Sequence, residues 1–388
     1  MQPEDVFASL QSGAAQIISE HELRGKLALG RPLRVKLGVD PTSADLHLGH
    51  TIILRKLREF QDLGHQAVLI IGDFTGMIGD PSGRSATRPH LSSEEVRANA
   101  ETYREQAFKV LDAGRTEIVF NGDWFRQMRY EDVIRLNSRV TLQQMLQRED
   151  FSERLTKQHP IHAHEIQYPI MQGWDSVMVK ADVELGGTDQ LFNILVGRDF
   201  QREEGMPQQV VFLLPILEGL DGGKKMSKSL GNFVGVNEPA PTMFGKLMSI
   251  SDELMARYYP MLLRRPLPGD AHPLQAKKQL AFEIVQTYHS TDAATRTLEE
   301  WNVRFSEKRL GDTDLPEFTA RPDEIQSLVV AAYLEVFQLT KSRGEAARLI
   351  KQGSVQLDGA KLVDPKTIVT LRAGQILRLD KTHAVRVN

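Results

Sequence analysis

Strand-like and helix-like patterns of apolar residues alternate along the first half of the chain. Residues 33–39 alternate between apolar and polar positions, as in a strand, and residues 50–63 carry apolar side chains at helical spacing. Residues 67–71 form a continuous apolar run, which is typical of a strand buried on both faces. Three further strands are predicted, at 118–120, 183–185 and 210–214. The alternation predicts an α/β fold with a doubly wound, Rossmann-like parallel sheet.

The pattern changes in the second half of the chain. Helical periodicity dominates from 241 to 308, and residues 309–324 contain glycine and proline with little periodicity. Two helical runs and several short strands follow to the end of the chain. The sequence therefore predicts four parts: a Rossmann-like domain at 1–222, a lysine-containing loop with an α-helical domain at 223–308, a linker at 309–324 and a small α+β domain at 325–388.

Composition narrows the class of protein. The 388 residues contain no cysteine, so disulfides and thiolate zinc sites are excluded. No apolar run is long enough to span a bilayer, and the first residues lack the basic start and apolar core of a secretion signal. We therefore expect a cytoplasmic protein that has no membrane partner.

Charge is concentrated at the C-terminal end. Residues 341–388 contain ten lysines and arginines against four acidic residues, a balance of +6 in a chain of net charge −3, which leaves −9 for the rest. A basic tail on an acidic body favours a polyanionic partner at that end. A solvated basic face is the simpler alternative.

The segment Lys225-Met226-Ser227-Lys228-Ser229 is the strongest chemical signal in the chain. Its two lysines repel each other, so the segment suits a mobile loop that awaits a strongly anionic ligand. A triphosphate would fit, because lysine acts on phosphate as a movable point charge. A solvated basic turn would explain such a pair if it stood alone.

A second signal lies upstream, at His47-Leu48-Gly49-His50. It follows the first predicted strand and opens a predicted helix, and the N–H groups and dipole at a helix N-terminus favour anions. Gly49 would allow a close approach of the chain. The two segments together indicate a nucleotide phosphate site.

Other polar residues follow predicted strands, where open parallel sheets bind their ligands. Tyr168, Gln172 and Asp175 are spaced to share one face of a helix, with Pro169 expected in its first turn. A carboxylate beside a core needs a partner, and a substrate hydroxyl or ammonium would serve. The remaining candidates at strand ends are Asp40, Thr42, Asp80, Asp189 and Gln190.

The two signatures resemble those of class I aminoacyl-tRNA synthetases. The wider set of motifs is similar to tyrosyl-tRNA synthetases of the bacterial type: Gly38-Val39-Asp40-Pro41-Thr42, Gly79-Asp80-Pro81-Ser82-Gly83, Tyr168 with Gln172 and Asp175, and Gly187-Thr188-Asp189-Gln190. Residues 342–359 resemble a small RNA-binding domain shared with a ribosomal protein and pseudouridine synthases. The resemblance implies a tyrosine–tRNA ligase that uses ATP, with a catalytic domain at 1–222, a tRNA-recognition helical domain and an RNA-binding C-terminal domain.

The resemblance also implies residue roles. Asp175 accepts a hydrogen bond from the substrate phenol, and Gly38 lies beside the substrate. The substrate ammonium is held by Tyr168, Gln172 and Asp80, and Gln190 faces the substrate carboxyl and the phosphate. The nucleotide contacts are Asp40, Thr42, Gly49, His50 and Asp189, and the groups that meet the triphosphate are His47, Lys225, Lys228 and Ser229. Arg343, Arg348 and Lys351 contact tRNA.

Two positions depart from the family pattern. Lys36 stands where many bacterial members carry a tyrosine that also touches the phenol, and Glu184 stands where glutamine is frequent. Specificity is therefore expected to depend more heavily on Asp175 or on a further residue that the sequence does not identify, and the role of Glu184 stays open.

The resemblance further implies a homodimer with an interface around 124–153, Mg²⁺ that arrives with ATP, and no structural metal. Three alternatives remain: a tryptophanyl enzyme, a non-catalytic RNA-binding paralogue, and a small-molecule nucleotidyltransferase. The first would need a site without Asp175, the second would be expected to have lost signature histidines or lysines, and the third does not explain the basic tail.

Overall fold

The computed structural model describes residues 2–41, 46–81, 93–303, 315–380 and 383–388. Its internal contacts divide the chain into two compact units, Met1–Ala294 and Thr295–Asn388. The finer division that we predict at residues 222 and 308 stays a prediction.

A six-stranded sheet forms the centre of the first unit, in the order β1-β6-β5-β2-β3-β4. Its strands are β1 (Gln16–Ile18), β2 (Arg34–Val39), β3 (Gln66–Ile71), β4 (Thr116–Phe120), β5 (Val183–Gly187) and β6 (Val210–Leu214). Strands β2 to β6 are parallel, and β1 pairs antiparallel with β6 at the edge. The predicted α/β fold with a doubly wound parallel sheet is therefore confirmed.

The strand order positions a crevice. The chain begins the parallel sheet in the middle with β2, adds β3 and β4 on one side, and then returns to add β5 and β6 on the other. Connections that leave β2 and β5 in opposite directions open a gap beyond the carboxyl ends of these strands. A ligand is expected to bind there.

Helices cover the sheet and continue beyond it. They are α1 (Pro3–Gln11), α2 (Glu20–Ala28), α3 (Leu48–Asp62), α4 (Thr75–Ile78), α5 (Ser93–Ala107), α6 (Gly122–Phe125), α7 (Tyr130–Asn137), α8 (Leu142–Leu146), α9 (Glu149–Thr156), α10 (Ala163–Met178), α11 (Leu191–Glu203), α12 (Ala240–Met248), α13 (Asp252–Tyr258), α14 (Pro273–Tyr288) and α15 (Thr291–Trp301). Short 3₁₀ segments occur at Ala113–Arg115, Thr188–Gln190 and Lys228–Leu230, and a π-helical turn at Tyr259–Leu263.

Helix α10 differs from the sequence expectation at one point. The expected start near Pro169 is wrong, because the helix begins at Ala163, where His162 and Glu165 form a capping box, and Pro169 is its seventh residue. A proline inside a helix removes one backbone hydrogen bond, so the local proline signal pointed to a later start.

In the residues that the structure describes, the second unit contains the C-terminal part of α15, two further helices and two sheets. The sheets have the orders β10-β9-β12-β13-β7 and β11-β8. The elements are β7 (Glu317–Phe318), β8 (Asp323–Glu324), α16 (Ile325–Phe337), α17 (Arg343–Lys351), β9 (Gln356–Leu357), β10 (Ala360–Lys361), β11 (Ile368–Val369), β12 (Ile376–Arg378) and β13 (Ala384–Val387). Strands β7 and β8 lie in the segment predicted as a linker, and two-residue strands are too short to produce a readable pattern.

Within the described ranges, no helix has the length and apolar character needed to cross a membrane.

Candidate active site

A cavity of about 310 Å³ lies beyond the carboxyl ends of β2 and β5. Most of the residues singled out from the sequence line it: Gly38, Asp40, His47, Gly49, His50, Asp80, Tyr168, Gln172, Asp175, Asp189, Gln190 and Lys225. Lys228 and Ser229 are not among its lining residues. Thr42, and Ser82 and Gly83 of one quoted motif, lie outside the described residues.

Two histidines cap the N-terminus of helix α3. His47 is the N-cap, and its Nδ1 accepts a hydrogen bond from the backbone N–H of Gly49 at 3.2 Å. His50 Nδ1 accepts from the N–H of His47 at 3.3 Å. A Cβ on residue 49 would lie 3.0 Å from the His47 ring, so the tight cap favours glycine there.

Both histidines are neutral at physiological pH. Burial lowers the pKa of His47 to about 2, with the charges of His50 and Lys228 adding to the effect. Burial likewise lowers the pKa of His50 to about 4, and the charge of Lys228 adds to the effect. Because each Nδ1 accepts a hydrogen bond, the ring proton is on Nε2, which makes each histidine a neutral donor.

The lysine segment 225–229 is held next to this histidine corner. The chain just after it pairs with the start of α3, since Leu48 N–H donates to the carbonyl of Val234 at 3.0 Å and His47 forms a bridge with Gly235. The two signatures, far apart in sequence, therefore meet at the same end of the cavity.

Two lysines of the segment are held differently. The Lys225 ammonium lies 3.1 Å from a carboxylate oxygen of Asp189, a half-exposed ion pair. The carbonyl of Lys225 accepts from Asn232, whose own oxygen accepts from the Ser227 N–H at 2.8 Å. Lys228 begins the 3₁₀ turn and lies 5.8 Å from the Phe233 ring centre.

Asp175 lies at the opposite, buried side of the cavity. One carboxylate oxygen accepts from the Trp124 indole N–H at 3.0 Å, and the other from the Asn121 amide at 3.2 Å. Burial raises the pKa of Asp175 to about 7, against the lowering effects of Lys36 and these two donors, while Glu184 adds to the rise. The carboxyl group is therefore poised between its two charge states near neutral pH.

Asp40 joins two sides of the cavity. It accepts from the Tyr168 hydroxyl at 2.8 Å and from the Thr75 hydroxyl at 2.8 Å. Thr75 in turn accepts from Asn121 at 3.0 Å, which links Asp40 to the Asp175 cluster. A Cβ at Gly72 would lie 2.1 Å from an Asp40 oxygen, so this glycine makes room for the link.

A chain of amides forms another wall. Gln190 donates to Asp80 at 2.7 Å, and Arg148 lies 3.5 Å from the other Asp80 oxygen. Asn193 donates to Gln172 at 2.9 Å and to Gln190 at 3.3 Å, while its oxygen accepts from Arg148 at 3.1 Å. This wall offers carboxylate and carbonyl oxygens, which suit a cationic ligand group.

A family model described as tRNA synthetases class I (W and Y) matches residues 28–320. This chain belongs to that family.

Curated relatives of the family share nearly the whole length of the chain. The tyrosine–tRNA ligase of Oleidesulfovibrio alaskensis is 51% identical and covers 100% of this chain and 99% of its own length. The tyrosine–tRNA ligase of Moorella thermoacetica is 48% identical, over 98% of this chain and 94% of its own.

Solved structures share the synthetase fold. A tyrosyl-tRNA synthetase from Aeropyrum pernix superposes with a TM-score of 0.62 at 22% identity, over 77% of this chain and 98% of its own. The enzyme from Archaeoglobus fulgidus, solved with L-tyrosine, gives 0.62 at 22% identity, over 76% of this chain and 99% of its own.

Several residues of this synthetase site were not found from the sequence. Asn121 directly follows β4, so the rule that ligands bind beyond strand ends could have identified it. Thr75 lies in the glycine-containing loop after β3, which the same rule indicates as a ligand lining. The other three, Trp124, Arg148 and Asn193, carry no sequence pattern that distinguishes them from ordinary helix or loop residues.

The predicted tRNA contacts of the tail lie on helix α17 of the second unit. Ser342 and Glu345 form a capping box at its start, and Arg343, Arg348 and Lys351 are exposed. Arg348 and Lys351 are three residues apart and so project from neighbouring positions on one face.

Among the described side chains, no group of three or more His, Cys, Asp or Glu residues is arranged to hold a metal ion.

Proposed function

We propose that this synthetase is a tyrosine–tRNA ligase, which activates tyrosine with ATP in the described cavity and then transfers it to the 3′ end of tRNA(Tyr). The observation that carries the proposal is the buried Asp175 at one side of a cavity whose other side holds the histidine corner and Lys225. The tyrosine–tRNA ligases that match over nearly the whole chain support it.

The phenol of the substrate would bind at Asp175. An ionised carboxylate accepts a strong hydrogen bond from a hydroxyl, and Trp124 and Asn121 hold its oxygens in place. Phenylalanine offers no such donor, so its binding would leave a buried carboxylate without one of its partners. This arrangement favours tyrosine over phenylalanine.

The ammonium of the substrate would lie by the amide wall. Asp80 supplies a carboxylate, and Gln172 and Tyr168 supply oxygens on the same cavity. The positive charge of Arg148 beside Asp80 and Asn193 keeps that wall from becoming strongly anionic when it is empty.

The nucleotide would occupy the opposite side. The neutral His47 and His50 donate through Nε2 without adding charge, and the N-terminus of α3 favours phosphate. Lys225 and Asp189 neutralise each other in an ion pair. ATP would replace this ion pair with two contacts of its own, because Asp189 is suited to accept from ribose hydroxyls and Lys225 to bind phosphate oxygens.

Activation requires alignment more than proton transfer. The tyrosine carboxylate is ionised at neutral pH and attacks the α-phosphorus of ATP, and the bond to the departing pyrophosphate breaks. Lys225 and Lys228 would neutralise the charge that develops on the leaving group. Mg²⁺ would arrive with the ATP phosphates as part of the substrate.

The tail, the dimer and the compartment complete the proposal. Arg343, Arg348 and Lys351 would contact tRNA phosphates, two copies of the chain would associate through the region 124–153, and the enzyme would act in the cytoplasm with its tRNA.

Exchange of labelled pyrophosphate into ATP, measured with each amino acid in turn, tests the proposal. Tyrosine should support exchange, and bulk tRNA should then be charged with tyrosine. Exchange that depends on tryptophan, or on no amino acid, would refute it.

A further inference from the structure

Lys36 and Glu184 form a fully buried ion pair behind the cavity. The ammonium lies 2.9 Å from a Glu184 oxygen, and the side chains are 0% and 1% exposed. The two residues are paired in register on the neighbouring parallel strands β2 and β5. Between these two strands the order in which strands are added to the sheet changes direction. Neither is among the residues that line the cavity.

Stability alone is a poor explanation for this pair. Two charges lose their hydration when they are buried, and replacing such pairs by apolar residues is often neutral or stabilising. We therefore look for the role of the pair in the residues that it contacts.

Its contacts converge on helix α10. The Lys36 ammonium donates to the carbonyl of Gln172 at 2.9 Å and to the Ser176 hydroxyl at 2.7 Å. Glu184 accepts from the Gln172 amide nitrogen at 3.1 Å, from Ser176 at 2.9 Å and from Gln209 at 2.6 Å. The pair thus holds both the backbone and the side chain of a cavity-lining residue.

Charge also fixes the direction of the Gln172 amide. A lysine ammonium only donates and a carboxylate only accepts, so the Gln172 group that meets Glu184 must be its nitrogen. At the other end, Asn193 donates to the Gln172 oxygen, and Arg148 orients Asn193 in the same sense by donating to its oxygen. The side-chain carbonyl oxygen of Gln172 is therefore held away from Glu184.

We propose that the Lys36–Glu184 pair is a positioning device that locks the Gln172 amide with its carbonyl oxygen directed at the ammonium of the bound tyrosine. The inference rests on the proposed role of Gln172 in tyrosine binding. A carbonyl oxygen has two lone pairs, so it can accept from the substrate in addition to Asn193. A reversed amide would present an N–H donor to a cation and repel it.

The test compares two ligands in two proteins. Lys36→Met/Glu184→Gln removes both charges together, so that no single charge is left buried and the Gln172 amide loses the constraint that Glu184 places on it, while Asn193 still contacts its oxygen. Calorimetry would measure the affinity of tyrosine and of 3-(4-hydroxyphenyl)propionate, which lacks the ammonium. We expect tyrosine to lose roughly tenfold, as for one hydrogen bond to a charged group, and the analogue to stay within about twofold.

A matched control removes another buried pair. Arg154→Met/Glu165→Gln acts on side chains that are 4% and 3% exposed and outside the cavity lining, and it should change the affinity of both ligands equally or not at all. Equal weakening of both ligands in the Lys36 and Glu184 variant would reduce the pair to a structural role and overturn the proposal. Unchanged tyrosine binding would overturn it as well.

Gln172→Met can still overturn the proposal should the double variant not fold. It removes the amide, leaves the ion pair in place, and should cause the same selective loss of tyrosine. If the ratio of the affinities for tyrosine and for the analogue stayed unchanged, Gln172 would make no contact with the substrate ammonium, and the ion pair would have no such contact to position. A wild-type protein that binds no tyrosine would instead refute the proposed function, which separates the two failures.

Discussion

The two ends of the cavity are built in opposite ways. At the proposed phenol end, Asp175 is 4% exposed and both of its oxygens accept hydrogen bonds from side chains, those of Trp124 and Asn121. At the proposed phosphate end, the Lys225–Asp189 pair has side chains that are 38% and 28% exposed and joins the 3₁₀ turn after β5 to the lysine segment.

The difference matches the two tasks of an activating enzyme. Selecting an amino acid requires polar groups that are already in place, because an incorrect substrate then leaves them unpaired in a buried site. Driving off pyrophosphate requires charges that bind the transition state better than the ground state, which suits lysines that can move. The following predictions test that division.

The largest effect is expected at Asp175. Tyrosyl-tRNA synthetases are a standard example of rejection of phenylalanine, by about 10⁵-fold. Asp175→Ala should remove most of that preference, measured as the ratio of kcat/KM for the two amino acids in pyrophosphate exchange.

Asp182→Ala is the control for Asp175. Asp182 is also buried and pairs with Lys26 and Arg31, and it is not among the cavity-lining residues. It should lower stability and leave the preference for tyrosine intact. Full preference retained in Asp175→Ala would exclude the carboxylate as the selecting group.

The second effect concerns the phosphate end. Lys228→Ala should lower the activation rate by roughly 10²–10³-fold, the usual effect of losing one charge-stabilising group, with little change in tyrosine affinity. Single-turnover formation of the adenylate measures the rate, and equilibrium dialysis the affinity.

Lys224→Ala provides a matched control, because Lys224 is an exposed lysine that directly precedes the lysine segment, four residues before Lys228. It should leave both quantities near their wild-type values. Equal losses of rate and affinity in Lys228→Ala would contradict a role confined to the transition state.

The third effect is a pH dependence of tyrosine binding. The pKa of Asp175 is raised to about 7, so the carboxyl group is mostly protonated at pH 6 and mostly ionised at pH 8. The ionised form is the better acceptor, so tyrosine affinity should increase roughly tenfold over this range. His47 and His50, with pKa values of about 2 and 4, stay neutral throughout.

Phenylalanine should show no such increase, since it has no hydroxyl to donate. Asp175→Asn should bind tyrosine with a flat pH profile. A profile that persists in this variant would assign the titration to another group.

The smallest effect is expected in the second unit. Arg348→Ala/Lys351→Ala should reduce the slope of log affinity for tRNA against log salt concentration by about 1–2. The reason is that tRNA binding releases fewer counterions when the protein contacts fewer phosphates. Adenylate formation should be unchanged. Lys361→Ala/Lys366→Ala removes two other exposed lysines of the same unit, and an equal flattening there would show that α17 is not the contact.

The sequence alone determined the parts of this protein that depend on local pattern. Continuous apolar runs predicted β3 and β6, and strand ends followed by polar residues identified Asp40, Asp80 and Asp189 as candidates. Periodicity and strand-end chemistry are properties of neighbouring residues, so they can be read without a structure. The same rule extended to β4 would have identified Asn121.

Only the tertiary structure decided which distant groups meet. It placed Trp124 on Asp175, Arg148 on Asp80, and Lys36 against Glu184, pairs separated by between 51 and 148 residues in the chain. The physical reason is that a buried polar group must find partners in space, and the strand order of the sheet sets which partners are near. No local pattern carries that information.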